Sequence, residues 1–218
     1  MTLRLAVLAS GRGSNLQAIL DAIAAGTLDA AVIGAWSDRI DAQALVRARE
    51  AGLPAHAIRP RAFADRAAHD AALFGAIDAA DPDLIVCAGY MRLIGADVLA
   101  SRAGRLVNIH PSLLPDFKGL HTHQRALDAG VAEHGASVHY VTAELDGGPV
   151  VAQARVPVLP GDDAATLSAR VLGREHPLLL ETLRWIAAGR VRLHEDGVHV
   201  DGQRAIVPLQ LAATNRFA

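Results

Sequence analysis

Leu5-Ala6-Val7-Leu8-Ala9-Ser10-Gly11-Arg12-Gly13-Ser14-Asn15, running into the amphipathic stretch Leu16–Ala25, is the segment whose reading sets the fold class. Leu5–Ala9 is apolar, short and followed at once by turn residues, so it reads as a buried strand. The stretch after Asn15 has the spacing of a helix. The same alternation recurs along the first half. Ala31–Trp36 reads as a second strand, and Asp41–Ala51 as a helix stopped by Gly52 and Pro54. A weaker strand lies near Ala55–Ile58. Ala62–Ala80 reads as a helix halted by Asp81-Pro82-Asp83, followed by strands at Leu84–Ala88 and Leu106–Ile109. Strand, helix, strand at intervals of ~25–30 residues implies right-handed βαβ units and a parallel sheet.

The expected class is therefore α/β, an open, mostly parallel Rossmann-like sheet with helices on both faces. The second half adds an antiparallel extension. Ser137–Thr142 and Val150–Val158 read as strands joined by a tight Asp146-Gly147-Gly148-Pro149 turn. Thr166–Ala187 reads as a long helix kinked or broken at Pro177, and short strands surround Asp196-Gly197 and Asp201-Gly202. With no repeats and no low-complexity linker, residues 1–218 read as one domain with halves 1–105 and 106–218.

Composition narrows the function classes. With 21 basic and 23 acidic residues the net charge is −2, so no global field attracts nucleic acid or an anionic membrane. Lys118 is the one lysine among the basic residues. Hydrophobic content of 51% suits a globular chain. No apolar run approaches the ~18–20 residues of a membrane span, and Leu5–Ala9 is too short for a secretory core. A single cysteine, Cys87, excludes a disulfide framework and reads as a small core residue. These features predict a soluble, cytoplasmic protein.

Two stretches carry chemistry. Glycines between the first strand and its helix permit positive φ and close backbone approach, leaving helix N–H groups to hold an anion. Ser14 or Asn15 is expected to cap that helix. The dinucleotide pattern G-x-G-x-x-G fails, because its third glycine falls at Leu16 and the nearest acid, Asp38, is a little far. A phosphate or phosphoribosyl site, a dinucleotide site and a structural turn all remain open from these residues. In Leu106-Val107-Asn108-Ile109-His110-Pro111, Asn108 and His110 share a strand face at the carboxyl end, where α/β sheets bind ligands. An amide beside an imidazole suits oxyanion stabilisation with proton transfer, and equally a capping asparagine with a satisfied histidine. Asp146, heading its Gly-Gly-Pro turn, is positioned to favour the imidazolium if it meets His110.

Asn108-Ile109-His110-Pro111-Ser112-Leu113-Leu114-Pro115, Gly119-Leu120-His121-Thr122-His123 and Glu144-Leu145-Asp146-Gly147-Gly148-Pro149 together closely resemble the phosphoribosylglycinamide formyltransferases. The resemblance runs nearly end to end and implies the formyltransferase fold. It also implies transfer of a formyl group from 10-formyltetrahydrofolate, a co-substrate, to the amine of glycinamide ribonucleotide in purine synthesis. By this resemblance Asn108, His110 and Asp146 are catalytic. Gly13, Ser14 and Asn15 hold the ribonucleotide phosphate, and Glu175, within Leu172–Glu175, contacts the rest of that substrate. Met91, Arg92, Leu93 and Ile94 wrap the folate pteridine with Thr142, Ala143, Glu144 and Leu145, Asn108 also contacts the folate, and Arg66 faces the glutamate tail. The family often has a polar or basic residue where this chain has Leu172, which leaves Arg174 or backbone groups as substitutes.

No metal is expected: His110, His121, His123 and His139 lack a cysteine partner, and packing or substrate positioning explains them. Arg59 and Arg61 read as solvated surface, Trp36 and Trp185 as packing residues. The expected partners are the ribonucleotide and the folate, with no nucleic acid and no membrane, in a monomer or homodimer. Three other readings compete. A methionyl-tRNA formyltransferase usually adds a tRNA-contacting domain. A formyltetrahydrofolate hydrolase usually adds an N-terminal regulatory domain. A non-catalytic folate or nucleotide binder has no need of Asn108, His110 and Asp146 together.

Overall fold

In the computed structural model, which describes residues 2–217, the chain divides into two compact units that meet in sequence between Asn108 and Ile109. The first is built from β1 (Leu3–Leu8), α1 (Ser14–Ala24), β2 (Ala30–Ser37), α2 (Gln43–Glu50), β3 (Ala55–Ala57), α3 (Arg66–Asp78), β4 (Leu84–Cys87), α4 (Ala96–Ala100) and the start of β5 (Leu106–His110). Every pairing here is parallel: β1 lies between β2 and β4, β3 flanks β2, and β5 flanks β4. A strand with neighbours on both sides and layers on both faces needs no polar alternation. Leu5, Ala6, Val7 and Leu8 are accordingly all fully buried. The β1–β2 register shifts between Leu5 and Ala6. On the facing strand, a Cβ at Gly34 would lie 2.7 Å from the ring of Trp36, so glycine makes room for that buried indole. Cys87 is buried as expected, and burial pushes its thiol up to about 12.

The second unit holds the end of β5, α5 (Thr122–Asp128), β6 (Glu133–Tyr140), β7 (Val150–Pro157), α6 (Ala164–Ala187) and β11 (Leu209–Gln210), with a small antiparallel sheet of β8 (Val191–His194), β9 (Gly197–Val200) and β10 (Gln203–Arg204). β6 and β7 pair antiparallel, as the sequence indicates, and β11 adds to β7 in parallel. The α/β class with a mostly parallel sheet and a small antiparallel one is the class expected.

Several boundaries differ from expectation. The helix expected over Ala62–Ala80 begins at Arg66, because the Asp65 carboxylate accepts the Ala68 amide and caps it there. The residues before it form a short 3₁₀ turn at Pro60–Ala62. α4 and α5 are additional; each is too short to show a hydrophobic period. The connection from β6 to β7 is longer than a tight turn, since β6 ends at Tyr140. Pro177 does not end α6, which runs unbroken from Ala164 to Ala187 with Leu178, Leu179 and Leu183 buried beyond it. Packing of that face against β6 and β7 outweighs the one backbone bond that proline removes. Among the described residues no helix is long and apolar enough to cross a membrane.

Candidate active site

In the first unit the glycine loop is shaped by Gly13. Its φ of 71° and ψ of 28° place it in the left-handed region as the N-cap of α1, and no side chain caps the helix. A Cβ there would stand 2.6 Å from Ala44 Cα, so the torsion and the neighbouring helix both demand glycine. Ser14 and Asn15 are therefore not the cap that the sequence suggests; they are the first two helical residues. An N-terminus without a side-chain cap leaves first-turn amides to a ligand, and the helix dipole favours an anion there. The Ala44 amide holds the loop by donating to Gly11 O at 3.1 Å, and Arg47 Nε donates to Arg12 O at 2.9 Å.

Ser10, which the sequence reading passed over, organises the adjoining strand ends. Its hydroxyl donates to Asp38 Oδ1 at 2.6 Å and accepts the Met91 amide at 3.0 Å, while its own amide donates to Gly89 O at 3.0 Å. Asp38, the acid weighed for a dinucleotide ribose, is thus engaged with Ser10. Met91 and Leu93 are exposed at 63% and 56%, Arg92 is exposed, and Ile94 is half-buried. Met91 and Leu93 are thus two exposed apolar side chains on one loop. Arg66 is exposed at the first position of α3. Asn108 is half-buried on β5, in register with Cys87 of β4.

The second unit carries the titratable cluster. Nδ1 of the buried His110 lies 3.5 Å from Asp146 Oδ2, and its Nε2 lies 3.1 Å from Phe117 O. Both ring nitrogens face acceptors. Asp146 Oδ2 also accepts the Gly119 amide at 2.8 Å, and its Oδ1 lies 3.7 Å from Nε2 of His139. Asp146 adopts φ 46°, a left-handed turn conformation that aspartate tolerates, and this turns the carboxylate to its partners. A Cβ at Gly148 would stand 1.9 Å from Tyr140 O, so glycine is obligatory where the loop folds back.

His139, expected to pack or to position substrate, lies against the Asp146 carboxylate. Burial lowers its pKa, opposed by the Tyr140 carbonyl and then by Asp146. Its charged form is thereby disfavoured. Ser137 and Gln153 were also missed. Ser137 Oγ donates to Ser112 O at 2.7 Å and accepts the Leu114 amide at 3.0 Å, and Gln153 Nε2 donates to Leu114 O at 2.8 Å. These bonds fix the chain that follows His110. Both are buried, but their strands also carry Glu133, His134, His139 and Arg155, so nothing in the sequence singles them out.

Thr142 is half-buried; Ala143, Glu144 and Leu145 are exposed, and Glu144 Oε1 accepts from Lys118 Nζ at 2.6 Å. Glu175 and Leu172 are half-buried on α6. Arg174, considered as a substitute for the missing polar residue at Leu172, is engaged elsewhere. Its guanidinium donates to Asn215 Oδ1, Leu211 O and Ala212 O, holding the C-terminal segment to α6. Of the histidines weighed for metal, His121 is exposed at the start of α5, and the ring of His123 packs edge-on against His134, centroids 5.2 Å apart. Among the described residues no three His, Cys, Asp or Glu side chains are disposed to hold a metal ion.

Residues 3–183 match the formyl transferase family. The chain is 48% identical to the phosphoribosylglycinamide formyltransferase of Escherichia coli over 93% of its own length and 95% of that protein's. The solved phosphoribosylglycinamide formyltransferase of Coxiella burnetii superimposes with a TM-score of 0.90 at 47% identity, covering 93% of this chain and 95% of that one. A formyltetrahydrofolate deformylase from Pseudomonas syringae superimposes with a TM-score of 0.82 at 27% identity, over 92% of this chain and 66% of its own.

Proposed function

The chain belongs to the formyl transferase family, and from that premise we propose that it moves a formyl group from 10-formyltetrahydrofolate to the amine of glycinamide ribonucleotide, a step of purine synthesis. The observation that carries the chemistry is the 3.5 Å approach of Asp146 Oδ2 to His110 Nδ1, on the strand that also bears Asn108.

The substrate amine attacks the formyl carbon, forming a C–N bond and a tetrahedral oxyanion. Asn108 and protonated His110 donate to that oxygen, and Asp146 stabilises the imidazolium. The C–N bond to the folate nitrogen then breaks, and the proton lost by the amine is delivered to that nitrogen through the His110–Asp146 pair or a water held by it. In this reading the α1 amides at Gly13, Ser14 and Asn15 hold the ribonucleotide phosphate, and Glu175 contacts the rest of that substrate. Met91–Ile94 and Thr142–Leu145 surround the pteridine, with Arg66 toward the glutamate tail. No step requires a metal.

One assay tests the proposal: the protein and 10-formyltetrahydrofolate are mixed with and without glycinamide ribonucleotide, and tetrahydrofolate release is followed. Release that depends on the ribonucleotide is expected. Release without it would identify a hydrolase, and none in either case a binding protein.

A further inference from the structure

The loop between β4 and α4 is tied at both ends to buried groups. At its start the Met91 amide donates to Ser10 Oγ at 3.0 Å; at its end the Gly95 amide donates to Asp70 Oδ2 at 2.8 Å. Between these ties Met91 and Leu93 project into solvent. An exposed apolar loop has little of its own to hold one shape, so its geometry is set by its anchors.

The second anchor is unusual for its burial. Asp70 is 1% exposed and His69, its neighbour on α3, is 0% exposed. Asp70 Oδ1 lies 3.2 Å from His69 Nδ1, and His69 Nε2 lies 2.9 Å from Ile58 O. Both nitrogens of this ring face acceptors. The ring also packs edge-on to Phe63, centroids 5.6 Å apart. One oxygen of Asp70 is thus fixed by a histidine that is itself fixed to the segment after β3, and the other is left to grip the loop.

We propose that Asp70, oriented by His69, is a positioning residue for the folate co-substrate: it fixes the far end of the Met91–Ile94 segment through the Gly95 amide. The proposal rests on the reading of Met91–Ile94 as folate-binding. Neither Asp70 nor His69 touches the reacting atoms; their effect falls on binding.

Asp70→Ala removes the tether, and Asp70→Asn keeps an oxygen that accepts the Gly95 amide. Steady-state constants are measured for both substrates on preparations whose melting shows them folded. KM for 10-formyltetrahydrofolate is expected to rise about tenfold in the Ala variant, the loss of one bond to a charged acceptor. It should stay within about twofold in the Asn variant, with kcat and the ribonucleotide KM near wild type in both. If the Ala variant does not fold, His69→Gln carries the same test, with folate KM expected to rise about threefold. Met91→Ala separates the two layers of the argument. A raised folate KM in Met91→Ala with an unchanged one in Asp70→Ala overturns the positioning role. An unchanged folate KM in Met91→Ala overturns the reading of that segment as folate-binding.

Discussion

Asp146 Oδ2 stands 3.5 Å from Nδ1 of His110, while the same oxygen accepts the Gly119 amide at 2.8 Å and the other oxygen approaches His139 Nε2 at 3.7 Å. The carboxylate is held from three directions. It has no freedom to turn from His110 without giving up a backbone bond. Burial keeps His139 toward its neutral form. A fixed anion beside one ring fits proton transfer better than a mobile one, because its orientation is set before the reaction begins.

Asn108→Ala tests the amide. Removing one oxyanion donor typically costs ~10²–10³ in turnover. The variant is expected to melt near wild type, since Asn108 is half-buried rather than core, while kcat falls by at least that factor. Wild-type turnover in a folded Asn108→Ala protein removes this residue from the chemistry.

Asp146→Asn tests the charge. Asparagine retains an oxygen for Gly119 but not the negative charge that favours a protonated His110. The kcat of a folded Asp146→Asn protein is therefore expected to fall. Wild-type kcat in that variant would show that the pairing does not govern the rate.

Gly13→Ala tests the anion loop. The new residue must adopt φ near 71° with its Cβ 2.6 Å from Ala44 Cα. Left-handed strain alone costs ~1–3 kcal/mol, and the backbone contact forces α1 and α2 apart. Thermal melting is expected to show a loss of at least that strain. Ribonucleotide KM should rise more than folate KM, and an equal rise in both would argue against a phosphate at this loop.

His134 makes stability depend on pH. Burial and then the charge of His123 lower its pKa from 6.5 to about 4, opposed by the Pro111 carbonyl, with a smaller lowering from His110. The unfolded chain binds this proton more tightly than the folded one. The stabilisation is present above about pH 6.5 and is lost as pH falls toward 4. Denaturant melts at pH 7 and pH 4.5 are expected to show a smaller acid loss for His134→Leu than for wild type. Equal losses would place the acid sensitivity elsewhere.

The parallel core was legible because periodicity is local: Leu5–Leu8 needs no partner to reveal that it is buried. The glycine loop was legible for the same reason, since a strand, glycines and a helix in succession leave few backbone solutions. The cap was not, because it was Ala44, distant in sequence, that closed the space beside Gly13. α4 and α5 were too short to leave a period, and Pro177 does not break α6 because the packing that holds the helix comes from other strands.

Chain order alone determined the α/β class, the strand that carries Asn108 and His110, and the glycine at the start of α1. Spatial closure alone decided which carboxylate faces which ring. His139 joined Asp146, Ser10 took up Asp38, and Asp70 reached the Gly95 amide only once the chain had folded back on itself. Backbone propensity and hydrophobic period act over a few residues, whereas a hydrogen bond depends on ångström-scale distances between atoms that no sequence interval records.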